Sequence, residues 1–294
     1  MKTMFGFLLL LIITSILLPA QLQAQSSNFT LGGQADNDDG EPMMEISVNA
    51  NGTWAIRKKM PNGAYAIYNY SNPLREIFAI KIGSTVYVSY GEGVILAVSD
   101  VDSSIGGDVE YVTKRFSQAH GGNPFHIDLT IIYDRNDPDN ITITAEFYLD
   151  EIPAGTSVSL AHGFPTYIKG NVRAGAFILP NINDYNGSVG AGFTATTAQV
   201  QSLTLVGAVG TGGGVMGFYP IGGRPFDRAR SAGTGGPQAF PYVFVDRDYN
   251  FNNFYYNTTT ANNALFVAYE NIPTGETTSI STGLVLDEVW PTTL

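Results

Sequence analysis

The chain has no cysteine, so it can form no disulfide, no thiolate nucleophile and no lipidated thiol anchor. It has only three histidines, His120, His126 and His162, in neither a His-x-His nor a His-Glu-x-x-His spacing. A zinc site of either familiar kind is therefore not expected. Cations are scarce: 15 Lys and Arg stand against 26 Asp and Glu, for a formal charge of −11. Such a surface repels nucleic acid and anionic lipid, and no basic stripe interrupts it. No window carries three turns of amphipathic helix. Gly and Pro recur too often, and β-branched and aromatic residues fill the apolar positions.

Only one long apolar run exists, Phe5 to Leu18, preceded by Lys2 and closed by Pro19. Leu22-Gln23-Ala24 then offers a small residue at a cleavage point. This is the pattern of a secretory signal peptide, and it predicts removal of residues 1–24. The run is short for a membrane anchor, so no membrane span is expected once it is gone. Loss of Lys2, the one charged residue in the segment, takes the charge from −11 to −12. About 270 residues remain, enough to bury a core without cross-links. The expected location is secreted, extracellular or periplasmic. Small eukaryotic secreted domains lean on disulfides, so their absence predicts a bacterial source. Six Asn-x-Ser/Thr sequons, at Asn28, Asn51, Asn69, Asn140, Asn186 and Asn257, would matter only in a eukaryotic host.

Residues 25–42 are polar and acidic and read as an extended leader. Short strands with turn signals follow. Ile46 to Ile56 reads as a hairpin around Asn51-Gly52, where glycine accepts the positive φ of a tight turn. Ile77 to Val98 holds apolar runs broken at Ile82-Gly83-Ser84 and at Tyr90 to Gly93. The clearest alternation lies in the middle. Phe125, Ile127, Leu129, Ile131 and Tyr133 alternate with His126, Asp128, Thr130, Ile132 and Asp134. Ile141, Ile143, Ala145, Phe147 and Leu149 alternate with Thr142, Thr144, Glu146, Tyr148 and Asp150. Period two puts each apolar set on one face, predicting a long hairpin with one buried and one wet side. The expected fold is all-β, a large antiparallel β-sandwich.

Two segments match at an offset of 120: Ile152, Pro153, Gly155, Ser159 and Gly163 against Ile272, Pro273, Gly275, Ser279 and Gly283. Each reads as strand, Pro-Gly turn, strand. An internal duplication would divide the chain into similar halves, 43–165 and 166–294. Strand–turn–strand units also converge on such patterns without duplication. The length suits a super-sandwich resembling that of mutarotase-like and polysaccharide-lyase domains, a likeness of architecture that does not fix function.

Candidate sites follow from residue chemistry. His162 stands where the second copy has Thr282, so the repeat does not require histidine there; the bland alternative is a hydrogen-bonded loop residue. Asp134, Asp137 and Asp139 cluster oxygens in one turn and are candidate calcium ligands, although polar turns often simply stay wet. Asp36 to Glu41 begins like a calcium loop, but its twelfth position falls on Ser47. The glycine-rich stretch 222–236 concentrates Arg224, Arg228 and Arg230 in a cation-poor chain, and Arg forks grip carboxylates or phosphates. Tyr249, Tyr255 and Tyr256 follow among asparagines, a mixture that suits sugar rings. The plain alternative is an edge strand with core aromatics. No Gly-x-Ser-x-Gly elbow exists, and acids at turn edges such as Asp150, Glu151 and Glu270 usually cap backbone amides.

The sequence therefore points to an exported β-sandwich binding module for a glycan or a surface protein. A carbohydrate-active lyase or hydrolase is the alternative, with His162, Tyr167, Arg173 and the Arg stretch as its candidates. A structural subunit of a surface assembly is the third reading. No catalytic residue is assigned, calcium is the one candidate cofactor, and the oligomeric state is open.

Overall fold

The computed structural model describes residues 26–33, 44–59, 65–67, 77–89, 93–165, 175–179, 205–209, 215–233 and 263–287. Within them all regular structure is strand. In chain order the strands are β1 (Phe29–Leu31), β2 (Met44–Val48), β3 (Trp54–Lys59), β4 (Tyr65–Ile67), β5 (Ile77–Ile82) and β6 (Thr85–Val88). There follow β7 (Val94–Ile95), β8 (Ala97–Ser104), β9 (Val109–His120), β10 (Asn123–Asp134), β11 (Asn140–Tyr148) and β12 (Val158–Pro165). The last are β13 (Gly175–Leu179), β14 (Leu205–Val209), β15 (Val215–Ile221), β16 (Arg228–Gly233), β17 (Asn263–Tyr269) and β18 (Thr277–Asp287). No helix among the described residues is long and apolar enough to cross a membrane. The expected signal segment 1–24 lies outside the described residues, as do residues 25 and 34–42 of the leader; leader residues 26–33 are described and carry β1.

Three sheets form. One has four strands in the order β1-β2-β3-β4. One has eight, β13-β14-β15-β18-β11-β10-β9-β8. One has six, β16-β17-β12-β5-β6-β7. The expected central hairpin is β10–β11, antiparallel, with Ile131 opposite Ile143 and Thr130 opposite Thr144. Its apolar alternate positions, Phe125 through Tyr133 and Ile141 through Leu149, are all buried. The Asn51-Gly52 hairpin joins β2 to β3, and Gly52 has φ 80°. Each large apolar side chain taken from water in this way contributes about 1.5–3 kcal/mol.

The eight-stranded sheet is one layer, and both smaller sheets lie against its inner face. On the four-stranded side, a Cβ at Gly52 would stand 2.4 Å from the Phe116 ring of β9. Lys58 of β3 donates from Nζ to the Leu286 carbonyl of β18 at 2.6 Å and also pairs with Asp139. On the six-stranded side, Tyr87 of β6 meets Phe125 edge-on at 5.0 Å and shares a 2.9 Å hydrogen bond with His120 Nδ1. The Tyr269 hydroxyl of β17 reaches Thr282 Oγ1 of β18 at 3.0 Å. One continuous hydrophobic cluster contains residues of all three sheets. This is the antiparallel β-sandwich that the alternation predicts.

β9 departs from simple alternation because its inner face carries charge. Lys114, 2% exposed, ion-pairs with Asp100 and donates to the Ser27 carbonyl at 2.6 Å and Ser26 Oγ at 3.0 Å. Glu110, fully buried, accepts from Arg135 Nη2 at 2.7 Å and from the Gly32 amide at 2.7 Å. Buried charges survive only when paired and hydrogen-bonded, and here they tie β1 to the large sheet. Outside β9 lies β8, an end strand whose register slips at a bulge between Asp100 and Asp102.

The matched segments become two arches. One joins β11 to β12 and the other joins β17 to β18. β11 then pairs with β18, and β12 with β17. Gly155 and Gly275 adopt φ 81° and 80° at corresponding corners, and Ile152 and Ile272 are both buried. The turns touch, with the Gly275 amide donating to the Leu149 carbonyl at 3.1 Å. In both larger sheets the strands from 43–165 stand together on one side and those from 166–294 on the other, meeting at β11–β18 and at β12–β17.

Candidate functional site

The turn 134–140 spends its oxygens on itself and on Lys58. Asp134 Oδ1 accepts from the Asn136 amide at 2.8 Å and from Asn136 Nδ2 at 3.1 Å. Asp137 Oδ1 accepts from Asn140 Nδ2 at 2.8 Å, and Asp139 turns inward to Lys58. Among the described residues no three acidic or histidine side chains converge as metal ligands would.

Arg224 lies in the loop before β16. Its Nη2 donates to the Glu270 carbonyl at 2.5 Å, and its guanidinium stands 5.8 Å from the Tyr269 ring centre. Asp227 accepts the Glu270 amide at 2.7 Å. These bonds stitch the loop to the end of β17. Arg228 and Arg230 fall on β16, an end strand of the six-stranded sheet, opposite Ala268 and Phe266. Tyr249, Tyr255 and Tyr256 lie outside the described residues, as do Tyr167, Arg173 and the acidic stretch 36–41.

His162 belongs to β12, between Val267 of β17 and Phe78 of β5. It is 4% exposed, and burial pushes its pKa from 6.5 down to about 4. A base held neutral by burial leaves its contribution intact above pH 6.5. That contribution is lost progressively as pH falls from 6.5 towards 4, because the unfolded chain takes up the proton first. At about 1.4 kcal/mol per pH unit, the loss comes to about 3–4 kcal/mol. Urea unfolding at neutral and acidic pH checks this, with His162→Gln expected to flatten the acid slope.

The outward face of the eight-stranded sheet gathers the most varied chemistry. It is built from the polar half of the alternation, with strand register fixing each neighbour. One row runs Arg115 (β9), Asp128 (β10), Glu146 (β11), Ser279 (β18). The next runs Ser117, His126, Tyr148, Thr277. On the other side run Thr113, Thr130, Thr144 and Ser281, whose hydroxyls pair at 2.9 Å for Thr113–Thr130 and 2.9 Å for Thr144–Ser281.

Within this face, Arg115 forks onto Asp128 through Nε and Nη2, each bond 2.7 Å. His126 stacks on Tyr148 with centres 4.2 Å apart and planes 16° from parallel. Burial, then the neighbouring Arg115, lowers the His126 pKa, so the ring is neutral at physiological pH. Glu146 accepts the Tyr148 hydroxyl and raises its pKa. His126 stacks on the Tyr148 ring, and the Arg115 guanidinium also stands over it, 6.0 Å from its centre. Next to Tyr148 in the register lies β18, where Thr277 and Ser279 are exposed. The Tyr148 slot is this stretch of the face, bounded by the ring, the hydroxyls and the Glu146 carboxylate.

A second aromatic platform lies further along the sheet. Tyr219 of β15 sits directly opposite Gly283 of β18 and lies flat against it, so a Cβ there would be 2.0 Å from the ring. Its hydroxyl reaches Asn140 Oδ1 at 3.3 Å. Sequence reasoning placed His126, Glu146 and Tyr148 on the wet side of a hairpin but did not join them to Arg115, Tyr219 or Ser279. The polar alternation was the available signal; the flanking strands supplied the rest.

No family model and no curated protein matches the sequence. Partial likenesses exist among solved structures. A heparan sulfate lyase from Pedobacter heparinus aligns with TM-score 0.48 and 8% identity over 91% of this chain and 36% of that one. A proposed aldose 1-epimerase from Escherichia coli K12 aligns with TM-score 0.44 and 12% identity over 90% of this chain and 100% of that one. An alpha-galactosidase from Geobacillus stearothermophilus aligns with TM-score 0.33 and 8% identity over 87% and 32%. The chain thus spans 36% of the length of the lyase and 32% of that of the alpha-galactosidase.

Proposed function

We propose that this protein is an exported glycan-binding β-sandwich module whose contact surface is the outward face of the eight-stranded sheet. The carrying observation is the Tyr148 slot. A partly exposed aromatic ring stands beside exposed hydroxyls and a carboxylate. Sugars have an apolar face that stacks on such a ring and hydroxyls that bond to groups beside it. The elements beneath are regular strands, so the groups are held in place before a ligand arrives.

Among the described residues, Tyr87 and His162 are poorly suited to turnover. Burial raises the pKa of Tyr87, which partners His120, whereas proton abstraction from a sugar needs a tyrosine pKa moved the other way. His162 is sealed inside the six-stranded sheet.

Tyr148→Ala removes the ring while leaving the inner face untouched. Calorimetric titration with soluble oligosaccharides should show affinity falling about tenfold, near 1.4 kcal/mol, with the melting temperature shifted by no more than a surface substitution would shift it. Unchanged affinity would remove this face from consideration.

A further inference from the structure

Charge on the slot narrows the ligand class, an inference that rests on the glycan-binding reading. Arg115 is the one cation in these rows, and its fork is filled by Asp128 through two 2.7 Å bonds. The Asp128 side chain is 8% exposed, so an incoming carboxylate or sulfate would have to expel a nearly buried partner to reach the guanidinium. The remaining charge is negative. Glu146 lies between Asp128 and Ser279 in the register and has no cation partner among the described residues. Asp150, at the end of the same arch, is close enough to act on His126 together with Asp128 and Glu146. His126 adds no cation at neutral pH.

Polyanionic glycans therefore meet repulsion at this slot, and neutral ones gain hydroxyl hydrogen bonds but no ion pair from its carboxylates. We infer that the ligand is a glycan whose sugars carry free amino groups, with a ring against Tyr148 on its β18 side and an ammonium set against Glu146. Ammonium groups are attracted both by the carboxylate and by the aromatic face beside it. Thr277 and Ser279 supply hydroxyls to the ring oxygens. The overall charge of −11 acts in the same direction at longer range by steering cationic polymers towards the protein.

The test compares three probes on the whole chain: short glucosamine oligomers, their N-acetylated counterparts and a sulfated oligosaccharide. All are titrated at mildly acidic pH, at low and at physiological ionic strength. The expected order is amine-bearing about tenfold tighter than acetylated, with sulfated weakest, and the gap should narrow as salt rises. Glu146→Gln should close most of that gap by weakening amine-bearing binding more than acetylated binding. Equal affinity for amine-bearing and acetylated oligomers, or preference for the sulfated one, overturns the amine assignment and leaves glycan binding standing. Absence of binding by all three probes overturns both. Tyr148→Ala serves as the second variant and should weaken both bound oligomers.

Discussion

Glu110→Ala should lower the unfolding free energy by about 4 kcal/mol, the largest loss expected from any single carboxylate described here. The reason is what it leaves behind. Glu110 is fully buried and holds the Arg135 guanidinium and the Gly32 amide with different oxygens. Truncation strands a partly buried cation and an amide donor together. It also releases β1, which has only three residues. Urea denaturation gives the number directly. Arg57→Ala is the control: its pair with Glu45 is 2.5 Å long, but the side chains are 44% and 25% exposed. Exposed pairs contribute about 0–1 kcal/mol. Equal losses in the two variants would mean that the Glu110 clamp is no stronger than a surface contact.

Gly52→Ala should cost a similar amount, about 4 kcal/mol, from two terms. Positive φ at a non-glycine residue costs about 1–2 kcal/mol. Here φ is 80°. The new methyl also lands 2.4 Å from the fully buried Phe116 ring, and forced repacking of a core costs about 1–3 kcal/mol. Gly121 separates the terms. Its φ is 59°, but nothing lies within 4 Å of a Cβ there. Gly121→Ala should therefore show the backbone cost alone, and a result matching Gly52→Ala would refute the contact with Phe116.

These two positions also show where sequence reading stops. Asn51-Gly52 was legible as a turn because the conformational demand is local. That the same turn rests on Phe116 depends on which sheet the hairpin packs against, and no local pattern encodes it. The β10–β11 hairpin was legible in full, since period two and a polar connection define it without outside help. β9 was not legible, because Glu110 and Lys114 occupy inward positions where alternation predicts apolar side chains. Their partners come from three separate places in the chain: Ser27 and Gly32 beside β1, Asp100 and Arg135. The candidate site was half legible for the same reason. His126, Glu146 and Tyr148 stand on one readable hairpin, while Arg115 arrives from β9 and Thr277 and Ser279 from β18. The Arg stretch drew notice by composition, yet Arg224 is engaged in stitching a loop.

The bulge in β8 bears on how the molecule behaves in a crowd. An outermost strand offers its spare amides and carbonyls to any neighbour, and β8 adds Val101, 46% exposed, as a greasy invitation. The slip between Asp100 and Asp102 throws the ladder out of step, and both flanking residues are acids. A second copy approaching this rim would meet mismatched spacing and its own sign of charge. Fibril growth through that side is thereby discouraged, and high protein concentrations become tolerable.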